Sequence, residues 1–157
     1  MQHDIPFQIP EELKPLNPDS MDWLEMSLYD LLTSGIFDRF PKLQLVVTEG
    51  AQKAIGKVLH SLYRLNSSRT FKNKRPYLEY FKNNMFCTID IEMKESFNIL
   101  MKYIGSDRLL FSTDYPHIDP SGLNKWNDTN DLYNAGLSQE DLENIAYRNA
   151  EKLFRIK

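Results

Sequence analysis

Residues 85–112, MFCTIDIEMKESFNILMKYIGSDRLLFS, place an amphipathic segment between two short apolar ones. Met85 to Asp90 and Arg108 to Ser112 are short and mostly apolar, which is typical of strands that are covered on both faces. Between them, Met93 to Ile104 repeats its apolar side chains at helical spacing. A strand, a helix and a strand in this order predict a right-handed βαβ unit with parallel strands.

The segment upstream repeats this unit. Leu43 to Thr48 predicts another buried strand, Ala51 to Leu65 a helix, and Asn66 to Lys74 a polar loop. Downstream, helices are predicted over Leu123 to Asn134 and Ser138 to Phe154. Strands that alternate with helices in this way predict the α/β class with a parallel sheet.

The N-terminal part predicts one further helix. Met1 to Pro18 is rich in proline and reads as an irregular lead-in segment. Asp19 or Ser20 can cap a helix that starts at Met21 and ends at Gly35. Its predicted apolar face consists of five residues: Trp23, Leu24, Leu28, Leu31 and Leu32. In the last predicted helix, Ser138 followed by Asp141 resembles a capping box with Asp in place of Glu.

Composition limits the classes of function. The chain has 157 residues, 41% hydrophobic and 26% charged, as expected of one soluble globular domain. A formal charge of -3 without a basic tract argues against a nucleic-acid partner. The single cysteine, Cys87, excludes an intramolecular disulfide and a multi-thiolate metal site, and it fits a reducing, cytoplasmic location. No run of about eighteen apolar residues predicts a membrane span.

Three carboxylates follow the predicted strands: Glu49, Asp90 and Asp114. In parallel α/β sheets, chemistry collects at the carboxyl ends of strands, because loops there vary while the scaffold stays packed. Asp114, followed by Tyr-Pro-His, is placed to bind a divalent cation and to move a proton from its bound water. The alternatives are ordinary ones. An Asp before a Tyr-Pro turn is often a loop former, and Glu49 or Asp90 could cap the helix that follows.

Other residues with chemical potential have structural interpretations. His117, taken alone, is typical of a hydrogen-bonded loop residue. Cys87 lies mid-strand as a small core hydrophobe, and His60 lies inside an amphipathic helix as a surface or packing residue. The basic run Arg69 to Arg75 predicts a solvated loop, and the alternative is that a cation there meets a substrate carboxylate.

Four ordered motifs carry a resemblance to a known family. They are SGIFDRFPKL at 34–43, VVTEG at 46–50, IGSDRLLFSTDYPH at 104–117, and the closing Leu137-Ser138, Ile145, Asn149-Ala150 and Leu153-Phe154. Together they resemble the amidohydrolase-related family of metal-dependent hydrolases and decarboxylases. The resemblance spans roughly Asp19 to the C-terminus.

The resemblance implies a fold and a site. The chain would be the C-terminal part of a (β/α)8 TIM barrel, contributing about strands six to eight, with residues 1–157 as one partial domain. A divalent metal, most commonly Zn2+, would lie at the mouth of the barrel. Asp114 would ligate this metal and act as general acid and base, and Glu49 and His117 would line the site. His3 would be the metal ligand after the fifth strand.

The chain departs from the family pattern in one respect. It has three histidines and no His-x-His pair, so two metal ligands of the family have no candidate. A complete barrel of this kind needs about 250 residues. We therefore expect a fragment, a truncated gene product or one part of a split enzyme. Its expected partners are a small-molecule substrate and either further copies in a homo-oligomer or a complementing N-terminal half.

Two functions remain open at this level. The first is metal-dependent hydrolysis of a C–N or similar bond, or non-oxidative decarboxylation of a small substrate. The second is a catalytically inactive half-barrel that serves as an interaction or assembly module. A nucleotide-binding domain is disfavoured, because no Gly-x-Gly-x-x-Gly or Walker-type loop follows any predicted strand.

Overall fold

The computed structural model describes residues 10–16, 22–48, 50–66, 73–89, 94–113 and 128–156. The strands are β1 Leu45–Val47, β2 Met85–Ile89 and β3 Leu109–Phe111. The helices are α1 Trp23–Thr33, α2 Ile36–Arg39, α3 Ala51–Asn66, α4 Tyr77–Asn84, α5 Lys94–Tyr103, α6 Asp128–Asn134, α7 Gln139–Glu143 and α8 Asn149–Phe154. Short 3-10 helices span Glu11–Leu16 and Ser106–Arg108. By contacts the chain divides into two compact units: residues 1–45 with 53–85, and residues 46–52 with 86–157.

The sheet has the order β1-β2-β3 and its strands are parallel. In the pairing of β2 with β3, Cys87 lies opposite Leu109 and Ile89 opposite Phe111. This register confirms the predicted α/β unit, in which α5 carries the chain from the end of β2 back to the start of β3. It also brings the carboxyl ends of β2 and β3 to the same edge of the sheet.

The core of the second unit forms between the sheet and helices that precede and follow β3 in the sequence. Cys87 and Leu109 are fully buried, as is Leu100 of α5. The predicted helix 138–154 is interrupted, because Asn144–Arg148 is a π-helical segment between α7 and α8. This segment packs against β3, and its residue Ile145 is buried.

In the first unit, α1 differs from its predicted start. The helix begins at Trp23 rather than Met21, and its N-cap is Asp22, whose side chain accepts a hydrogen bond from the backbone N–H of Glu25. The Glu25 side chain accepts from the Asp22 N–H in return, which completes a capping box. Asp19, Ser20 and Met21 lie outside the described residues.

The predicted apolar face of α1 is wrong at one position. Leu28 and Leu32 are buried as expected, whereas Trp23 is 85% exposed. Trp23 precedes Leu28 by five residues, which places it about 140° around the helix from that side chain. Its hydrophobicity suggested the core, but the helical period puts it on the outer face. Gly35 ends α1 as predicted. Its φ of +74° is a left-handed backbone conformation that would be strained in a residue with a side chain.

The long helix α3 supplies much of the first core. Ile55, Val58 and Leu59 are buried along it, and His60 Nδ1 lies 3.0 Å from the carbonyl oxygen of Leu13. His60 is therefore a packing residue, one of the two roles expected for it. A salt bridge of 2.9 Å between Lys57 of α3 and the buried Glu25 ties α3 to α1.

Helix α4 has no counterpart among the predicted elements. It begins directly after Pro76, and it buries Tyr77, Tyr80, Phe81 and Asn84 at the spacing of one helical face. Helix α2 and the two 3-10 helices were not predicted either. The remaining elements keep their predicted order, with ends that differ by a few residues. Within the described part of the chain, no helix is both long and apolar enough to cross a membrane.

Candidate functional site

The carboxyl ends of β1 and β3 bring the chain from the core to the surface. Val47 in β1 and Leu110 in β3 are buried, whereas Thr48, Ser112 and Thr113, which follow these strands, are exposed. Gly50 has a φ of +61°, a left-handed conformation that suits the turn from β1 into α3. The described residues after both strands are therefore exposed to solvent, where a binding or catalytic site can form.

All predicted site residues lie outside the described residues. Glu49 follows Thr48, Asp114 follows Thr113, and His117 comes three positions later. His3 belongs to the N-terminal nine residues, which are likewise outside. Their roles as metal ligands or site-lining groups therefore stay predictions. Among the described side chains, no group of three or more His, Cys, Asp and Glu could hold a metal ion.

Cys87 offers no nucleophile. It is fully buried in the middle of β2, and burial raises the pKa of its thiol to about 12. A thiol of this kind stays protonated at neutral pH, which suppresses both nucleophilic attack and metal binding. The interpretation of Cys87 as a small core hydrophobe is confirmed.

One polar cluster of the first unit joins α2 to α4 and to the chain before it. The Asp38 carboxylate accepts hydrogen bonds from the Tyr80 hydroxyl at 2.6 Å and from the Lys74 backbone N–H at 3.0 Å. Burial would raise the pKa of Asp38, but these hydrogen bonds and the charge of Arg75 outweigh burial and hold the pKa below its ordinary value. The carboxylate is therefore ionised at neutral pH and serves as an acceptor.

Arg75 completes this cluster and corrects a prediction. Its guanidinium donates to the Phe37 carbonyl at 3.2 Å and to Asn84 Oδ1 at 3.3 Å, and it lies 4.5 Å from the centre of the Tyr80 ring. Arg75 is thus not part of a solvated loop, and its cation is already engaged within the unit. Residues 69–72 of the basic run lie outside the described residues.

A second polar cluster holds the start of β3. Asn149 is buried, and its side-chain amide donates to the carbonyls of Ser106 at 2.7 Å and Leu109 at 2.8 Å. Hydrogen bonds from Ser106 and then Ser138 lower the pKa of Asp141, so Asp141 is an ionised acceptor on the same cluster. The cluster joins α7 and α8 to the strand that leads to Asp114.

These clusters explain two of the motifs that carry the resemblance. Asp38 belongs to the first motif and Asn149 to the last, and both side chains satisfy backbone groups rather than facing a ligand. Sequence reasoning missed the partners Tyr80 and Asn84, because α4 was not predicted. Tyr80 and Asn84 are four residues apart and alternate with Tyr77 and Phe81 at helical spacing, a pattern that indicates a helix. The Ser138–Asp141 pair was recognised, and Ser138 caps α7 by accepting from the Asp141 N–H.

Comparison with known proteins identifies a family over most of the chain. A family model described as Amidohydrolase matches residues 27–156. Among curated proteins, the chain is 28% identical over 130 residues to gamma-resorcylate decarboxylase of Polaromonas sp. JS666, covering 80% of the chain and 38% of that protein. It is 28% identical over 173 residues to gamma-resorcylate decarboxylase of Rhodococcus jostii, covering 98% of the chain and 51% of that protein.

Solved structures show the same fold. An amidohydrolase from Mycobacterium avium subsp. paratuberculosis matches with a TM-score of 0.67 and 25% identity over 82% of the chain and 33% of that structure. A dihydroxybenzoic acid decarboxylase from Polaromonas sp. JS666, solved with bound manganese and 2-nitroresorcinol, matches with a TM-score of 0.63 and 24% identity over 84% of the chain and 40% of that structure. The chain therefore spans about two fifths to one half of the curated relatives it matches.

Proposed function

The chain belongs to the amidohydrolase family, and from this premise we propose that it forms strands six to eight of a (β/α)8 barrel that decarboxylates a small aromatic acid. In this proposal β1, β2 and β3 are the sixth, seventh and eighth strands, and residues 1–157 are the C-terminal part of one barrel domain. The parallel β2–β3 register supports this assignment, because consecutive barrel strands pair side by side in this way.

Decarboxylation is favoured over C–N hydrolysis by the relatives. The curated matches are named as decarboxylases, and the Polaromonas structure carries an inhibitor with a dihydroxylated aromatic ring. The substrate class that we propose is therefore a hydroxylated benzoic acid. The reaction breaks the bond between the ring carbon and the carboxylate, releases CO2, and places a proton on that carbon.

Asp114 is the residue to which we assign proton transfer. It follows Thr113 directly in the sequence, three positions after the last residue of β3, and in this proposal its carboxyl group donates the proton to the ring carbon. Glu49 is the corresponding residue after β1, and His117 follows three positions after Asp114. We propose that both line the substrate site and orient the ring.

We propose a divalent metal as cofactor, with Asp114 and His3 as its ligands in this chain. When bound, such a cation polarises substrate oxygens and stabilises negative charge. Zn2+ is the ion that we expected from the sequence, and the manganese in a related structure makes Mn2+ an equal candidate. One carboxylate and one imidazole are too few donors to enclose either ion, so the chain by itself should bind metal weakly.

The observation that supports this proposal is the sequence position of Asp114, three residues after the end of β3. A metal titration tests the proposal. We expect Mn2+ or Zn2+ to bind the purified chain with one-to-one stoichiometry by calorimetry. Asp114→Asn should weaken binding at least tenfold, since changing even the groups behind metal ligands typically costs 10–100-fold. CO2 release from 2,6-dihydroxybenzoate is the activity to measure in parallel.

Asp107→Asn is the matched control, because Asp107 is an exposed carboxylate seven positions earlier in the same segment. This variant should bind metal like the parent chain. Equal binding by the parent chain and Asp114→Asn would contradict the assignment of Asp114.

The second candidate is an inactive half-barrel that acts as an interaction module. The sequence favours it in one respect, because the whole chain has three histidines and no His-x-His pair. A parent chain that takes up neither metal in the titration would favour this function over the enzymatic one.

A further inference from the structure

Asn84 is the last residue of α4, and its side chain holds the segment that enters β1. It is fully buried, and its side-chain amide donates hydrogen bonds to the carbonyls of Pro41 at 3.0 Å and Leu43 at 2.8 Å. Its Oδ1 accepts from the Arg75 guanidinium at 3.3 Å, which fixes the orientation of the amide. One buried side chain at the start of β2 therefore binds two carbonyls at the entrance to β1.

Asn149 holds the entrance to β3 in the same way within the second unit. It is the first residue of α8, is 4% exposed, and donates to the carbonyls of Ser106 and Leu109. Leu109 is the first residue of β3, and Ser106 begins the 3-10 turn before it. Two strands of the sheet are thus each held at the N-terminal end by a buried asparagine amide.

The apolar pattern of these two strands does not select a register. β1 consists of Leu-Val-Val and β3 of Leu-Leu-Phe, three apolar residues in each. A slip of one residue turns every side chain of a strand to the other face, which buries polar groups only where polar and apolar residues alternate. In β1 and β3 a slip exchanges one apolar side chain for another. Hydrophobic burial therefore leaves the register of both strands open.

We propose that Asn84 and Asn149 select the register of β1 and β3 in the sheet. When a strand slips by one residue, the amide loses its two carbonyl acceptors, and a buried donor without an acceptor is costly. A buried asparagine fixes the register of two helices in a coiled coil on the same principle.

The two amides act at the ends of the strands opposite to the proposed site. Thr48 and Thr113 are the last described residues after β1 and β3, and a slip of one residue displaces them by about 3.3 Å along the strand. The consequence for catalysis rests on the proposed function, in which the next residues in the sequence, Glu49 and Asp114, serve the substrate. A displacement of even about 1 Å there is costly to catalysis. Both asparagines are therefore positioning residues.

Methyl NMR of the full chain, labelled at leucine and valine, tests the proposal. The parent chain should give one set of peaks for the methyl groups of each strand. Asn84→Leu removes the donors and should add a second set for β1, since slow rearrangement of the sheet separates the two registers. We expect at least about a tenth of the total intensity in this set, because the loss of two hydrogen bonds shifts an equilibrium about tenfold or more. Asn149→Leu should add a second set for β3 alone.

A destabilised control separates register from stability. Val58 is a fully buried residue of α3, so Val58→Ala should lower stability and keep a single set of peaks for both strands. Asn84→Ser and Asn149→Ser, which keep one donor, give the same comparison where a leucine variant does not fold. Folded asparagine variants with a single set of strand peaks overturn the proposal. A second set in Val58→Ala also overturns it.

A metal titration of the same variants tests the consequence for the site. Where the parent chain binds Mn2+, Asn149→Leu should bind it with an apparent dissociation constant raised by the reciprocal of the fraction of chains in the native register. The methyl peaks give this fraction independently. A parent chain that binds no metal contradicts the proposed function alone, because the methyl spectra report the register without a metal.

Discussion

Asp38 shows what a single side chain from a recognisable motif does in this protein. Its carboxylate accepts hydrogen bonds from the Tyr80 hydroxyl of α4 and from the backbone N–H of Lys74, and it lies 3.9 Å from the Arg75 guanidinium. The Tyr80 hydroxyl belongs to a buried residue, so the loss of the acceptor leaves this donor without compensation. The residue stabilises the junction of α2 and α4.

Asp38→Asn should lower the free energy of unfolding by about 1–2 kcal/mol at pH 7, since a charged acceptor is replaced by a neutral amide. The pKa of Asp38 is held low in the folded state, so its contribution is present above the ordinary pKa of about 4 and is lost as pH falls through the lowered value. Urea unfolding from pH 7 down to pH 2 measures this. The parent chain should lose its advantage over Asp38→Asn below about pH 4.

Glu79→Gln is the control, because Glu79 is an exposed carboxylate next to Tyr80 in α4. This change should alter the free energy of unfolding by less than about 0.5 kcal/mol. An advantage of the parent chain that persists unchanged at pH 2 would show that the carboxylate charge is not the cause.

Asn149 performs the equivalent task in the second unit. Asn149→Asp keeps the shape but turns a donor of two hydrogen bonds into an acceptor facing two carbonyl oxygens. We expect a loss of about 2 kcal/mol or more in the free energy of unfolding, measured by urea titration. Asn98→Asp, on the exposed side of α5, is the matched control and should cost little. Equal losses in the two variants would argue against an anchoring role for Asn149.

At the scale of elements, α1 is held by polar contacts as well as by its apolar face. Glu25 is only 1% exposed, yet it closes the capping box and receives Lys57 from α3. A buried carboxylate of this kind needs a partner, because charge removed from water is costly. The ion pair therefore fixes which face of α1 is turned to α3.

Lys57→Met should destabilise the protein by about 1–3 kcal/mol, because it leaves Glu25 buried without its cation. This range is lower than for a fully buried pair, since the Lys57 side chain is 34% exposed and water screens part of the interaction. Adding Glu25→Gln to Lys57→Met should recover most of the loss. Lys53→Met, one helical turn earlier and exposed, is the control. A double variant no more stable than Lys57→Met would rule out the uncompensated charge as the cause.

The predicted elements differ in how well local sequence specifies them. Helix α5 and strands β2 and β3 were predicted to within a few residues, because their apolar patterns are regular and close together in sequence. Helix α4 was missed, since a tract of basic residues and Pro76 precede it and suggest a loop. The π-helical segment Asn144–Arg148 was missed as well, because its amphipathic pattern is that of an ordinary helix and its packing against β3 is a tertiary contact.

At the scale of the whole molecule, Cys87 provides a probe of global unfolding. It is the single cysteine and is fully buried in the central strand, with a thiol pKa raised to about 12. We expect labelling by a thiol reagent at pH 8 to be slower in the native protein than in denaturant by about 10³-fold or more, since only opening of the core exposes the thiol. Rapid labelling of the folded chain would contradict the central position of β2.

The sequence by itself determined the α/β class, the order of the main elements and membership of the amidohydrolase family. These follow from local periodicity and from ordered motifs, both of which can be read along one dimension. The tertiary structure decided which motif residues are anchors and which surface is left exposed. Asp38 meets Tyr80 across 42 positions and Asn149 meets Ser106 across 43. Contacts between residues so far apart depend on packing, which no local pattern encodes.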